Sequence, residues 1–301
     1  MADDGPREVA LIVNPSAGGG RAARALPRVE ARLRALGLDT EVDATRDLAH
    51  AVELAVGAAR RGRTVVTLSG DGMLGKVAGA LSEVPGAVIG VLPGGRGNDF
   101  ARVTGIPLDA EAACDVIATG VPRALDMGQA ADTPYIGIAS LGFDSEANRI
   151  ANEAPARLGQ LVYLYGALRA LAAWRPTEFT IEVDGTRVAF TGWGVAMANS
   201  KAYGGGMFVA PDAELDDGAL DIIRLERTSK ARFLRSVLPK VFKGEHINDP
   251  SVHVLRGTVV RVESARPFVV YADGDPVGEL PMTFRALPGA VQVLLPAEDG
   301  A

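Results

Sequence analysis

The sequence contains one cysteine, Cys114, so no disulfide can form within the chain and a reducing compartment is compatible. That thiol sits in the apolar pattern of Ala112, Ala113, Val116 and Ile117 and reads as a small core residue rather than a nucleophile. No stretch approaches the ~20 uninterrupted apolar residues that a membrane span needs. Met1–Pro6 is acidic and lacks the basic start and apolar run of a signal peptide. Basic charge is not in excess either: the formal net charge is −6, which argues against a nucleic-acid partner. Internal repeats and low-complexity segments are absent. What remains is a globular composition, 48% hydrophobic and 23% charged, with ample material for a core. The expected location is the cytoplasm, with any contact to lipid peripheral; the sequence leaves a homodimer open.

The chain changes texture near residue 129. Before it, apolar runs at Val9–Val13, Thr40–Asp43, Thr64–Ser69 and Ala87–Leu92 alternate with helical patterns at Arg21–Leu36, Leu48–Arg61, Lys76–Leu81 and Phe100–Val103. Short connections between such elements predict a doubly wound parallel sheet, with ligands gathered beyond the carboxyl ends of the strands. After it come short β-like runs: Tyr135–Ser140, Glu178–Val183, Arg187–Phe190, Gly192–Ala198, Ala219–Leu225, Thr258–Ser264 and Phe268–Tyr271. Asp184-Gly185 is a hairpin signal among them. Helical patterns at Arg157–Trp174 and Lys230–Lys243 interrupt that series. The expected fold is α/β: a nucleotide-binding domain over 1–128, then a larger, mainly antiparallel β domain with helical insertions over 129–301. The last strand, Ala290–Leu295 within the 288–301 tail, could pair with either.

Chemistry concentrates in three glycine-rich loops, each following a strand of the first domain. They are Asn14–Gly20, Ser69-Gly70-Asp71-Gly72 and Pro93–Asp99. Glycine lets main chain approach a phosphate, and a following helix N-terminus favours negative charge. A single such loop is as well explained by a tight turn. Three at one edge of one sheet are harder to dismiss. The first domain contains neither a Walker A sequence nor G-x-G-x-x-G.

Asn14-Pro15 with its small-residue run, Gly70-Asp71-Gly72, Pro93–Asp99 leading into Phe100-Ala101-Arg102, Leu215–Gly218 and Asp273-Gly274-Asp275 together resemble the diacylglycerol kinase catalytic domain family. That family includes bacterial lipid kinases and is related to the sphingosine kinases. The resemblance implies ATP as donor, Mg²⁺ as cofactor and a lipid hydroxyl, diacylglycerol first, as acceptor at a membrane surface. It implies that Asn14, Ser16, Thr45, Ser69, Gly70, Gly72, Gly95, Arg96, Gly97, Asn98 and Asp275 line the nucleotide. Asp71, Asp126 and Asp216 would act through the metal or its waters, since an anion cannot hold a triphosphate directly. Glu214, Asp217 and the main chain of Ala219 would hold a structural magnesium ion. Asp273 would be the general base that takes the acceptor's proton. From the residues alone, Asp126 reads as a strand-edge aspartate, and Asp216-Asp217-Gly218 and Asp273-Gly274 read as turns.

Ser69, Met73, Arg96 and Asp275 stand where the family usually has Gly, Thr, Thr and Glu. Two hydroxyls are lost and a guanidinium, suited to phosphate, is gained. A non-catalytic nucleotide sensor is the competing class. An NAD kinase shares the Gly-Asp-Gly element, but its Asn-Glu acceptor motif is not evident around Gly142–Asn152. For the lipid path, the face of Leu161, Tyr165, Leu168 and Leu171 is the expected lining. The basic amphipathic stretch Lys230–Lys243 reads first as a helix packed on a sheet.

Overall fold

The structure of the protein, a computed structural model, describes residues 7–153 and 162–297. It forms two compact units, one of the residues through Met127 together with those from Pro288, the other Gly128–Leu287.

The first unit begins with β1 (Glu8–Val13), α1 (Ala17–Ala35), β2 (Asp39–Ala44), α2 (Leu48–Arg60), β3 (Thr64–Ser69), α3 (Asp71–Leu81) and β4 (Val88–Pro93). It continues through α4 (Asp99–Val103), α5 (Ala110–Thr119) and β5 (Val121–Ala130). Strands β1, β3 and β4 are each buried at five of six positions, the signature of parallel strands covered on both faces. β2 carries charge at alternate positions and has no buried residue, as an edge strand should. The order β2-β1-β3-β4 is parallel throughout. Asp47 caps α2 by accepting the His50 N–H, and Asp109 caps α5 through Glu111 and Ala112. Cys114 lies buried on α5, and burial pushes its thiol up to about 12, consistent with an inert core residue.

The second unit contains β6 (Thr133–Tyr135), β7 (Ile138–Gly142), α6 (Phe143–Glu153), α7 (Val162–Ala173), β8 (Thr177–Val183), β9 (Thr186–Ala198) and β10 (Leu220–Glu226). A helical run follows, made of α8 (Lys230–Arg232), a wide π turn (Phe233–Val237) and α9 (Leu238–Val241). β11 (Val252–Gly257), β12 (Val259–Ser264), β13 (Val269–Ala272), β14 (Asp275–Glu279) and β15 (Met282–Leu295) complete the chain. The order β14-β13-β7-β9-β8-β12-β15 is antiparallel, with β10 paired to β9 and β11. Both hairpin turns, Asp184-Gly185 and Asp273-Gly274, have two central residues at positive φ, which is the type I′ geometry. Phe233 stacks on Trp193 at 4.6 Å and meets Phe143 edge-on at 5.1 Å, anchoring the helical run to the sheet.

Two departures from the sequence reading have physical causes. The two runs Arg187–Phe190 and Gly192–Ala198 are one strand, β9, whose pairing shifts register at Leu225/Glu226 opposite Gly192. A Cβ on Gly192 would come 2.4 Å from the Leu225 carbonyl oxygen, so the glycine marks a bulge rather than a break. The last strand starts at Met282, earlier than Ala290; its first residues pair with β12 and its last with β4. Pro288-Gly289 within it reads as a stop in sequence. The helix expected over Arg157–Trp174 is seen as α7 from Val162, and residues 157–161, Leu161 included, lie outside the described residues.

Candidate functional site

In the first unit the three loops leave the carboxyl ends of β1, β3 and β4 and interlock through main chain. A Cβ on Gly18 would lie 2.5 Å from the Gly94 carbonyl oxygen, and one on Gly95 2.5 Å from the Gly70 Cα. No other residue fits at those two contacts. Gly18, Gly19 and Gly20 all have positive φ, so the regular turns of α1 begin only at Arg21. The Asn14 Oδ1 accepts the Ser16 N–H at 3.1 Å and its hydroxyl at 2.8 Å, and the Thr45 N–H donates to the Val13 carbonyl. Asn98, itself left-handed at φ 50°, accepts the Gly95 N–H at 2.8 Å and shapes the third loop. The Ser69 hydroxyl donates to the Gly70 carbonyl.

Asp71, the first residue of α3, reaches across to the start of α4. Its two carboxylate oxygens accept the N–H groups of Asp99 and Phe100, each at 3.1 Å. Burial pushes this carboxyl up from its ordinary value; the two N–H bonds oppose the rise and nearby Asp99 adds to it. Asp71 thus ties the second loop to the third. Met73 is buried on the inner face of α3, so methionine in place of the family's threonine is a core substitution. Arg96 is exposed, and its guanidinium has no partner among the described residues. Asp126 is buried on β5 and accepts the Gly289 N–H at 2.7 Å, which joins β5 to the returning tail.

In the second unit Asp273 occupies the first turn position between β13 and β14, at φ 49°. Its carboxylate accepts the N–H groups of Ile136 and Gly137, both at 2.9 Å. The Gly137 carbonyl accepts the N–H groups of Asn199 and Ser200, and the Asn199 amide donates to the Ile136 carbonyl at 2.9 Å. A Cβ at Gly137 would meet Asp273 Oδ1 at 2.6 Å, so this glycine is required for the contact. Gly137 and Asn199 escaped the sequence reading. Gly137 inside the expected strand run Tyr135–Ser140 and the Asn199-Ser200 step just after β9 were the available signals. Asp275 opens β14 opposite Ala272.

The acidic loop before β10 holds Asp212, Glu214, Asp216 and Asp217. Asp216 is exposed and has no hydrogen bond or ion pair among the described residues. Asp217 accepts the Ala219 N–H at 3.0 Å and pairs with the Arg256 guanidinium. Burial raises the carboxyl of Asp221, and the charges of Asp212 and Glu214 add to that. Among the described residues no three acids, histidines or cysteines converge closely enough to hold a metal ion. The Asp217 carboxylate, one of the groups that the resemblance gives to a cation, is engaged here by Arg256.

Beside the sheet of the second unit lies a cavity of about 100 Å³. Phe143, Trp193, Phe233 and Val241 are among its apolar walls, and Asp144, Tyr203 and His246 its polar ones. Burial pushes the Asp144 carboxyl up, against a hydrogen bond from Tyr203, whose hydroxyl also meets Ser140. Leu171 is buried, whereas Tyr165 and Leu168 are exposed, so those residues do not all share one packed face.

The two halves match two family descriptions: residues 8–130 the diacylglycerol kinase catalytic domain, residues 137–295 the YegS C-terminal NAD kinase beta sandwich-like domain. A diacylglycerol kinase of Mycobacterium tuberculosis is 34% identical over 96% of this chain and 95% of its own. The chain belongs to the diacylglycerol kinase family. A second member, the diacylglycerol kinase of Bacillus subtilis, is 33% identical over 96% of both chains. The crystal structure of a diacylglycerol kinase from Bacillus anthracis superposes with a TM-score of 0.76 at 20% identity. It covers 96% of this chain and 97% of that one, and shows that the two share a fold.

Proposed function

We propose that this protein is an ATP-dependent lipid kinase that transfers the γ-phosphate to the hydroxyl of diacylglycerol, yielding phosphatidic acid and ADP. The observation that carries the reading is membership of one kinase family along 96% of the chain. The interlocked glycine loops support the donor half: main chain free of side chains, with the start of α3 beyond the second loop, suits a triphosphate. Arg96, unpaired and exposed, offers a guanidinium to phosphate oxygen. Magnesium bound with the triphosphate would supply charge neutralisation at the phosphate oxygens.

For the acceptor, Asp273 is held in place by the N–H groups of Ile136 and Gly137, which fix a carboxylate as the proton acceptor. As the lipid oxygen attacks the γ-phosphorus, the bond to the β-phosphate oxygen breaks and the hydroxyl proton passes to Asp273. The transfer needs positioning more than basicity, so a carboxylate suffices. The apolar cavity is in keeping with a lipid acceptor. The test is incubation of the purified protein with labelled ATP, magnesium and a panel of diacylglycerol, other lipid alcohols and NAD. Labelled phosphatidic acid is expected. Label in another lipid alcohol would correct the acceptor alone, and label in NAD only, or in nothing, would overturn the reading.

A further inference from the structure

The run 230–245 holds five basic residues, Lys230, Arg232, Arg235, Lys240 and Lys243, and one acid, Glu245, in a chain whose net charge is −6. Two of the five are accounted for: Lys230 donates to the Ala172 carbonyl, and Arg232 pairs with Asp249. Arg235, Lys240 and Lys243 are exposed and have no hydrogen bond or ion pair among the described residues. Beside them in sequence, Leu234 is 40% exposed and Phe242 53%, the latter the most exposed large apolar side chain among the described residues. The inward residues of the same run, Phe233, Val237 and Val241, are buried and wall the apolar cavity. Packing on the sheet therefore explains the inner side of this segment and leaves the outer side unexplained.

We infer that the outer side of residues 230–243 is a docking surface for an anionic phospholipid bilayer. Free ammonium and guanidinium groups flanking an exposed phenylalanine and leucine match an anionic headgroup layer with acyl chains just beneath it. A singly exposed apolar side chain is ordinary on a protein surface; what sets this segment apart is two of them beside three unpaired cations within ten residues. Docked by this segment, the bilayer lies against the element whose other side lines the cavity. The inference goes beyond the kinase reading and does not depend on which alcohol is phosphorylated.

Co-sedimentation of the full-length protein with phosphatidylcholine vesicles, with and without phosphatidylglycerol, reads the binding directly. Binding is expected only where phosphatidylglycerol is present, and weaker at high salt. The triple variant Arg235→Gln/Lys240→Gln/Lys243→Gln should bind about a hundredfold more weakly, for three lost charges. Phe242→Ser should cost about tenfold. A control that removes three exposed charges elsewhere, Arg34→Gln/Arg46→Gln/Arg60→Gln, should bind as the parent does. Circular dichroism melting certifies the fold of each variant. Should the triple variant fail to fold, Phe242→Ser and the salt series decide. Equal binding to neutral vesicles, no binding to either kind, or equal loss in variant and control overturns the inference. Phosphorylation of a soluble short-chain diacylglycerol, measured alongside, shows separately whether the kinase reading stands.

Discussion

In the first unit the Asp71 carboxylate takes the N–H groups of Asp99 and Phe100; in the second, Asp273 takes those of Ile136 and Gly137. The contact is the same: two successive main-chain donors on one carboxylate. The surroundings differ. Asp71 starts a helix and closes on the start of another, among loops whose glycines pack main chain on main chain. Asp273 sits in a two-residue hairpin turn against the loop between β6 and β7. The first arrangement ties two loops of main chain together; the second fixes the aspartate itself. On the kinase reading proposed above, Asp71 is a clamp and Asp273 the base, although both carboxylates accept two successive main-chain N–H groups.

Replacing each aspartate by asparagine is the sharpest way to break that comparison. Asparagine offers one acceptor and an NH₂ group, so at either site one N–H is left facing a donor, at a cost of about 1–3 kcal/mol. Thermal unfolding should show a loss of that order for both Asp71→Asn and Asp273→Asn. Asp273→Asn is therefore not structurally silent. The kinetics should part: Asp273→Asn lowers kcat by about 10²–10⁴-fold with the KM for ATP little changed. Asp71→Asn should act mainly on the KM for ATP, through slackened loops. A kcat loss under about tenfold for Asp273→Asn would remove it as the base.

A second pair of variants tests whether the first unit works through main-chain contact. Gly95→Ala places a methyl group 2.5 Å from the Gly70 Cα, where backbone must move; overpacking of that kind costs about 1–3 kcal/mol. Gly57→Ala, inside α2 and outside the three loops, meets only the Arg61 Nη1 at 3.6 Å, and alanine favours the helix there by up to about 1 kcal/mol. ATP affinity should fall sharply in the first and hold in the second. Unchanged ATP affinity in Gly95→Ala would show that main-chain contact between the loops does not shape the nucleotide site.

Much of the first unit was legible because parallel strands buried on both faces leave continuous apolar runs, and the glycine loops follow them directly. The hairpins at Asp184-Gly185 and Asp273-Gly274 were legible because type I′ turns demand residues that tolerate positive φ. Helices α5 and α6 went unread. The alanine-rich stretch 110–119 shows in sequence only a core pattern around Cys114, and α6 interrupts a stretch that otherwise alternates as strands. The partners of Asp273 could not be read at all. Ile136 and Gly137 lie more than 130 residues away and contribute only main-chain groups, which no side-chain pattern reports. The tie between Asp71 and α4 is hidden for the same reason. Arg256 neutralising Asp217 is likewise a matter of β10 pairing with β11, with Asp217 just ahead of one and Arg256 on the other.

The smallest expected effect belongs to the second unit alone. His246 is 4% exposed beside the cavity, with its Nε2 3.0 Å from the Val209 carbonyl and no partner at Nδ1. The carbonyl makes Nε2 the protonated nitrogen of a neutral ring. Burial pushes the histidine's pKa below its ordinary value of 6.5, and the Val209 contact only partly restores it. A lowered folded value means that the unfolded chain takes up a proton first. The stabilising contribution is then complete above about pH 6.5 and is lost as pH falls through the lowered value. Asp144, on the same cavity, carries a raised pKa and the opposite sign: its contribution diminishes as pH rises. Asp184 and Asp249, both lowered, lose theirs only further down, below the ordinary carboxylate value of 3.8. Comparing the protein with its His246→Gln variant therefore isolates the histidine, since glutamine keeps a donor for Val209 and does not titrate. Between about pH 7.5 and pH 5.5 the parent should lose a few °C of melting temperature that the variant does not lose. Parallel curves for the two proteins would show that His246 takes up its proton as easily folded as unfolded, and that the cavity wall is open to water.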